Sequence, residues 1–481
     1  MKHLIAISIG PVQEFIAASR RISDLTAGSE LLVELGAATA RSVQQQGGEL
    51  IFPASLDLRG TNKILALLPE GSDPQTMASI ARNEACSGLL QQWQDGMADL
   101  SGYGILKQLA SDQINSFLEF YAAWMPYGDS NYADCRRKVE SLLSARKNLR
   151  DFSAAPRGLN RSVYAKSPLD PAFECVLEPM PAIENGEKSE AGCLRLRHGE
   201  FLDAVSVLKR VKGWHQKQVP STRDLARRHS ESGFFMGDWT TEENSPEEYG
   251  YFAVLQADGD NMGQLIDTVI TQEDHRAFSE RLANFSERAK TVVKEHDGYP
   301  VYAGGDDVLA LVPVQHALSC ARLLATEFNA ATGGSLSAGV AIVHYRQPLS
   351  LSRAAARDAE DTAKKADGKN SLCLAIHTRG SQPLRITQVW GKWAEFDSWV
   401  HAFESGALVR GVAYELQNLA REFRETSVSP DLLNAEVERI WKRKKMTVEM
   451  PVVFEDPNAL YLFSNLLVAA RFLANAKNNH A

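Results

Sequence analysis

The chain has 481 residues, 44% of them hydrophobic and 23% charged, and 60 Asp and Glu against 52 Lys and Arg leave a formal net charge of −8. This length suits roughly two to four domains with cores of their own. The acidic balance excludes a dedicated nucleic-acid coating surface, but not contact with RNA through partner subunits or binding of metal-complexed nucleotides.

In chain order, residues 4–10 form an apolar run ending at Gly10-Pro11, which reads as a first strand and not as a signal peptide. Phe15, Ile16, Ile22, Leu25, Leu31, Leu32 and Leu35 then recur at helical spacing. Strand candidates at 49–53 and 63–68 precede segments expected to be helical to about residue 124, giving the strand–helix–strand–strand–helix order of a ferredoxin-like half. The middle, 126–245, is less regular, with polar loops at 167–171 and 179–192 and an acidic linker at 240–249. A second series starts with a strand at 251–256 and a helix over 275–296. Strands at 301–303 and 308–312 follow, then a helix (315–331), a strand (336–343), a helix (350–366) and a closing strand (371–376). From about 383 the expectation is helical, with Trp390, Trp393, Trp399 and Trp441 as core or subunit-interface anchors. The apolar stretch 460–474 is broken by Asn465 and Arg471, so it reads as a core helix and nothing is expected to span a membrane. The predicted fold class is therefore α+β. Its expected domains are two ferredoxin-like ones at 1–125 and 246–382, a mixed helical and irregular middle at 126–245, and a helical C-terminal domain at 383–481. Cys86, Cys135, Cys175, Cys193, Cys320 and Cys373 lack zinc-knuckle spacing and point to a reducing, cytoplasmic location.

The chemistry concentrates at Ala303-Gly304-Gly305-Asp306-Asp307 and at Asp258-Gly259-Asp260-Asn261-Met262-Gly263. Asp258 ends an apolar strand, and Asp306 and Asp307 follow a Gly-Gly pair able to take the positive φ angles of a tight turn. Adjacent carboxylates at a strand tip repel one another unless a cation compensates them. Nucleotidyl transfer needs divalent ions held by a few carboxylates together with phosphate oxygens and water. This is the pattern of a palm-type nucleotidyl cyclase or transferase. Asp258, Asp306 and Asp307 are the candidate catalytic residues and metal ligands, with the Gly259 carbonyl as a further ligand. An exposed Gly-Asp turn is the bland alternative for the four residues 304–307 in isolation. Asp260 is read as lying one pleat further on, or as a cap for the helix near Met262.

These motifs, with Ser337-Ala338-Gly339-Val340-Ala341-Ile342, resemble the large signature subunit of type III CRISPR effector complexes, particularly the Cmr branch. Ile9-Gly10-Pro11-Val12-Gln13-Glu14-Phe15-Ile16 with Arg20-Arg21, Asp24-Leu25 and Gly28-Ser29 is similar to that subunit's first palm. Leu208-Lys209-Arg210 with Pro220-Ser221-Thr222 is similar to its central region. The resemblance implies two palm domains of the adenylyl cyclase and polymerase type. It also implies an ATP-using, Mg²⁺- or Mn²⁺-dependent enzyme, activated by target RNA through a CRISPR RNA and partner subunits, that makes cyclic oligoadenylate second messengers for antiviral defence. One ATP would meet Gly304 and Gly305, and a second would lie near Gly10, Asp24 and Ser29. The family's HD nuclease and zinc-binding cysteine cluster are not expected: the first palm starts at residue 4, and His296-Asp297 reads as a turn.

Other readings stay open. The same palm chemistry joins AMP to another acceptor such as S-adenosylmethionine, or forms cyclic diguanylate through a GGDEF-like hairpin, although Val308 replaces the Phe of that motif. A catalytically inactive structural subunit is the third. Lys364 and Lys365 either touch phosphates or serve as basic residues at a helix C-terminus. Arg20 and Arg21, Arg227-Arg228-His229 and 442–445 are either RNA contacts or solvated charge.

Overall fold

The computed structural model describes residues 1–57, 60–128, 131–149, 165–177, 193–196, 200–216, 218–227, 250–378, 382–424, 428–450 and 453–478. The first half opens with β1 (Lys2–Gly10), α1 (Gln13–Ala17) and the long α2 (Ile22–Gln45). The hairpin β2 (Glu49–Phe52) and β3 (Lys63–Leu68) follows, then α3 (Pro74–Gly96), α4 (Lys107–Phe117) and β4 (Glu119–Tyr127). Crossovers through helices make the strand order β2-β3-β1-β4, fully antiparallel, with Ile5 opposite Ala66 on one side and Trp124 on the other. Period-2 alternation sends Ile5, Ile7 and Ile9 to the core with α2 and α3. Leu4 and Ala6 face the opposite side, where Val139 and Leu143 of α5 (Tyr132–Asn148) cover them.

β4 corrects the expectation of helix up to about residue 124. Glu119–Tyr127 is rich in aromatic residues and mostly half-buried, which suits an edge strand on β1 better than a continuation of α4. Farther on, α6 (Ala204–His215) packs on α2, and α7 (Thr222–Arg227) packs near the second sheet. The expected loop at 179–192, the linker at 240–249 and Arg228-His229 lie outside the described residues.

The second half repeats the order. β5 (Tyr251–Gly259) leads through α8 (Met262–Asp267) and α9 (Gln272–Glu295) to the hairpin β6 (Tyr299–Gly304) and β7 (Asp307–Val312). Then come α10 (Ala317–Thr332), β8 (Leu336–His344), α11 (Leu349–Lys364), β9 (Ser371–Ile376) and β10 (Leu384–Val389). The sheet order β10-β9-β8-β5-β7-β6 contains the same four-strand arrangement, extended by β9 parallel to β8 and β10 antiparallel to β9. β10 was expected to be helical. Its six residues are too few to display a period, and Leu384 and Ile386 alternate with Arg385 and Thr387 as an edge strand requires. His296-Asp297 forms a turn between α9 and β6, as expected, with Asp297 at φ +54°.

One face of the second sheet (Ala253, Leu255, Val308, Ala310) packs on α9 and α10. Its core runs without a break into the C-terminal helices α12 (Trp393–Glu404), α13 (Val412–Arg424), α14 (Pro430–Arg443) and α15 (Pro457–Asn478). Trp393, Trp399 and Trp441 are buried there, as their amphipathic spacing suggested. The other face (Phe252, Val254, Leu309, Leu311) shares a core with the first half. Among the described residues no helix is long and apolar enough to cross a membrane.

Candidate active site at the β5 end and the β6–β7 hairpin

The apolar run at 252–255 makes β5 a central strand between β7 and β8, so its last residues are fixed by two ladders. The β5–β7 register pairs Gln256 with Leu309 and Ala257 with Val308. Continued by one step, it brings Asp258 beside Asp307 on one face. Gly304 pairs with Asp307, so the hairpin turns through two residues, Gly305 and Asp306. Gly305 takes φ +65°, as the first central position of a glycine-led turn demands. Gly304 does not adopt positive φ, in contrast to the expectation for the pair. Its need for glycine is steric, because a Cβ there would collide with the Gly60 carbonyl of the first half and the Tyr302 hydroxyl. Gly259 is equally confined. A Cβ on it would lie 2.9 Å from Asp306 Cβ and 2.8 Å from both Met262 Sδ and Phe328 Cζ, so Asp306 rests against the β5 backbone.

Asp307 is exposed and Asp306 half-buried, which sets the pair at the surface and not in the core. Protein crowding still raises both carboxyls above the usual range. The charge of Asp307 pushes Asp306 further, while Arg357 on α11 partly relieves Asp307. Asp258 is instead ion-paired with Lys364, which also lies 3.3 Å from Glu360 one helical turn earlier. Burial, and then Lys369, lower Lys364 to about 8. Burial, followed by Asp307 and Asp361, raises Glu360 to about 7. Glu360 was not singled out from the sequence. The signal that could have found it was its i,i+4 spacing from Lys364 on a helix face leading to the acids.

Among the described residues no three His, Cys, Asp or Glu side chains are grouped closely enough to form a metal cage unaided. The donor chemistry nonetheless suits magnesium or manganese. Among the described residues Asp306 and Asp307 have no basic partner at hydrogen-bond distance, and these ions bind through few carboxylates with phosphate and water completing the shell. Asp258 is held by Lys364 and would be open to such a set only without that contact.

The remaining candidates separate. Gly304, Gly305, Gly259 and Lys364 stand at the acids, and Lys365 is exposed at the end of α11. Gly10, Asp24 and Ser29 do not form an open pocket. Gly10 faces Glu119 across the ladder, and Asp24 and Ser29 are buried in α2. Asp24 accepts from Arg210 Nε at 3.0 Å, and Arg210 also donates to Glu200 at 2.8 Å, a buried network tying α2 to α6. Asp260 does not cap α8 and is itself buried. Its Oδ2 accepts from the hydroxyls of Ser335 (2.8 Å) and Ser337 (3.0 Å) and from the Asn370 amide (3.0 Å). In the basic run at 442–445, Lys442 pairs with Glu438, and Arg443 and Lys444 pair with Glu415. Arg20 pairs with Glu200, and Arg21 donates to main-chain carbonyls of Leu194 and Arg195.

Residues 251–373, which carry this site, match the family model for the second palm domain of Cas10/Cmr2, and residues 4–98 match the N-terminal domain of the CRISPR-associated protein Cmr2. The chain is 35% identical over 162 residues to the CRISPR system Cmr subunit Cmr2 of Pyrococcus furiosus, covering 27% of this chain and 19% of that protein. It is 26% identical over 199 residues to the CRISPR system single-strand-specific deoxyribonuclease Cas10/Csm1 of Mycobacterium tuberculosis, covering 33% of this chain and 24% of that protein. The chain thus matches about a fifth to a quarter of the length of these curated relatives. A chain of the type III-B Cmr-beta complex in its apo state superposes with a TM-score of 0.71 at 12% identity, over 99% of this chain and 82% of that one. A chain of the Csm1–Csm4 cassette in complex with cA4 superposes with a TM-score of 0.56 at 16% identity, over 98% of this chain and 70% of that one. A Cmr2 N-terminal match followed by a second-palm match that contains the acidic hairpin shows that the chain carries the N-terminal and second palm domains of Cas10/Cmr2.

Proposed function

We propose that this chain is the nucleotidyltransferase of a type III-B complex, converting ATP into cyclic oligoadenylates when guide RNA pairs with target RNA. The observation that carries the reading is the convergence of Asp306 on the Asp258-Gly259 strand end, with Asp307 beside it, inside the segment that matches the second palm domain. Cassettes of similar fold have been solved with cA4 and with pppApA, which supports adenylate as the substrate class. The four-strand order of the first half supports reading it as the companion palm. A domain plan of first palm, middle, catalytic palm and helical C-terminal part fits the same picture.

Bound at Asp258, Asp306, Asp307 and the Gly259 carbonyl, Mg²⁺ or Mn²⁺ would lower the barrier by stabilising charge on the attacking and leaving oxygens. The chain's own groups do the rest. Gly305 and Gly304 keep side chains away from the polyphosphate. Lys364 exchanges Asp258 for a phosphate oxygen, its ammonium remaining largely protonated near neutral pH. A ribose hydroxyl attacks the α-phosphorus of ATP, a P–O bond to pyrophosphate breaks, and the proton leaves at the solvent side where Asp307 is exposed. Gly10, Asp24 and Ser29 have no part in this reading, because α2 and α6 enclose the last two.

The test is mass spectrometry of products after incubation of the reconstituted complex with ATP, Mn²⁺ and matching target RNA. The Asp306→Ala/Asp307→Ala variant is expected to assemble normally and to yield no cyclic product. Undiminished product from it would end the assignment.

A further inference from the structure

α11 presents more positive charge to the acids than one nucleotide needs. Its residues Arg353, Arg357, Glu360 and Lys364 follow at spacings of four, three and four, which places them along one stripe of the helix. The buried stripe beside them (Ser352, Ala356, Ala359, Ala363) fixes how the helix lies on β8 and β9. One end of the charged stripe is committed, with Lys364 on Asp258 and Glu360. The other end is not. Among the described residues neither Arg353 nor Arg357 has a carboxylate partner, and Arg353 Nε is buried without an acceptor. The two guanidiniums are close enough that burial first and Arg357 second hold Arg353 below its usual range, and Arg357 in turn feels Asp307.

Two guanidiniums one helical turn apart, of which Arg357 feels Asp307 and Glu360 only through space and Arg353 has a buried N–H without an acceptor, make a site for a further anion. At 1.5 Å per residue, Arg357 and Arg353 lie about 10 Å and about 16 Å along the axis from Lys364. A triphosphate held at the acids is shorter than the stretch to Arg353. From this we infer that the Arg353–Arg357 pair is a phosphate subsite for the nascent chain, gripping an oligonucleotide intermediate while the acids hold the next ATP. The inference rests on the function proposed above and names the ligand class of the neighbouring subsite.

Calorimetry on the full chain in Ca²⁺, to prevent turnover, tests it with two probes, ATP and a 5′-triphosphorylated diadenylate. Arg353→Glu, which leaves Arg357 and its influence on Asp307 in place, is expected to weaken diadenylate binding at least tenfold and to leave ATP binding within twofold. Arg353→Lys is expected to fall between, because an ammonium keeps the charge but not the bidentate grip. In product assays the Glu variant should accumulate dinucleotide at the expense of longer species. Equal loss of both probes, or loss of neither, overturns the subsite while leaving the ATP site intact. Wild-type protein that binds neither probe overturns the function on which the subsite rests, and the subsite with it. Both arginines are at least partly exposed, and a melting curve matching wild type shows that the variants fold.

Discussion

Gly339 sits in the middle of β8, paired with Gln256 on β5 and Cys373 on β9, and α11 lies directly over it. A Cβ built there overlaps the Glu360 amide nitrogen and the Ala356 carbonyl and comes 2.7 Å from Ala359 C. All three obstacles are helix backbone, which cannot rotate aside as a side chain can, so Gly339→Ala must lift α11 off the sheet. Relief to ordinary contact takes about 1 Å, and overpacking of a rigid core costs on the order of 3 kcal/mol. For a cooperative unit of this half's size that lowers the melting temperature by roughly 6–12 °C. The displaced turn carries Glu360 and leads to Lys364, so the ion pair with Asp258 loosens and nucleotide turnover falls further than the loss of folded protein explains. Differential scanning calorimetry with product assays below the transition reads both effects. Gly88→Ala is the internal control. Gly88 lies inside α3 with nothing within 4 Å of a new Cβ, so alanine should stabilise by about 0.5–1 kcal/mol. A Gly339→Ala protein that melts with wild type and keeps its turnover would refute the close-packing argument.

Two further predictions follow from the electrostatics. Burial, then Arg136, lower buried His275 to about 4, and its Nδ1 lies 2.7 Å from the Tyr132 hydroxyl. The unfolded chain therefore binds the extra proton first. The His275 contribution is complete above about pH 6.5 and is lost as pH falls toward 4, amounting to about 3 kcal/mol across the window. Urea midpoints measured from pH 4 to pH 8 should diverge between wild type and His275→Gln only in that window, and parallel curves would sink the assignment. Lys364→Met removes the cation that neutralises Asp258 and Glu360. Mn²⁺ affinity by electron paramagnetic resonance should rise while ATP affinity falls about tenfold, since a charge-assisted contact is worth on the order of 1.5 kcal/mol. Both affinities moving in the same direction would show that Lys364 does not alternate between carboxylate and phosphate.

The elements visible in advance were those whose apolar period is long or whose ends carry a signature. α2, α9 and α11 declared themselves by helical spacing, and β5 and the hairpin by apolar runs flanking Gly and Asp. β4 and β10 did not, because edge strands are half-exposed and six to nine residues show little period. Within the site, carboxylates near Gly305 were legible because turn chemistry is local. The partners of those carboxylates were not. Lys364 on Asp258 joins a helix end to a strand end more than a hundred residues apart, and Asp24 is committed to Arg210 by packing that no spacing in α2 reveals. Gly304 shows the same limit: the sequence suggests a turn, whereas the reason for glycine lies in the other half of the molecule.

That last contact bears on how the hairpin is held. Tyr302 Oη donates toward Gly60 O at 3.2 Å, and Gly304 leaves no space between its backbone and the same carbonyl. Ser286 Oγ donates to Gly305 O at 3.1 Å, fastening the turn to α9. α9 is in turn tied to the first half, where Ser279 Oγ accepts from the Ala54 amide at 3.0 Å and Arg276 pairs with Glu49. The acids therefore ride on a loop braced from two sides by the segment around residues 49–61 and the helix it touches. Close-packed interiors transmit displacement instead of absorbing it. A shift of that first-half segment, however it is produced, moves Asp306 and Asp307 relative to Asp258, which is anchored independently by the β5–β8 ladder and by Lys364. The metal-binding geometry is thus a property of the contact between the halves and not of the GGDD turn alone.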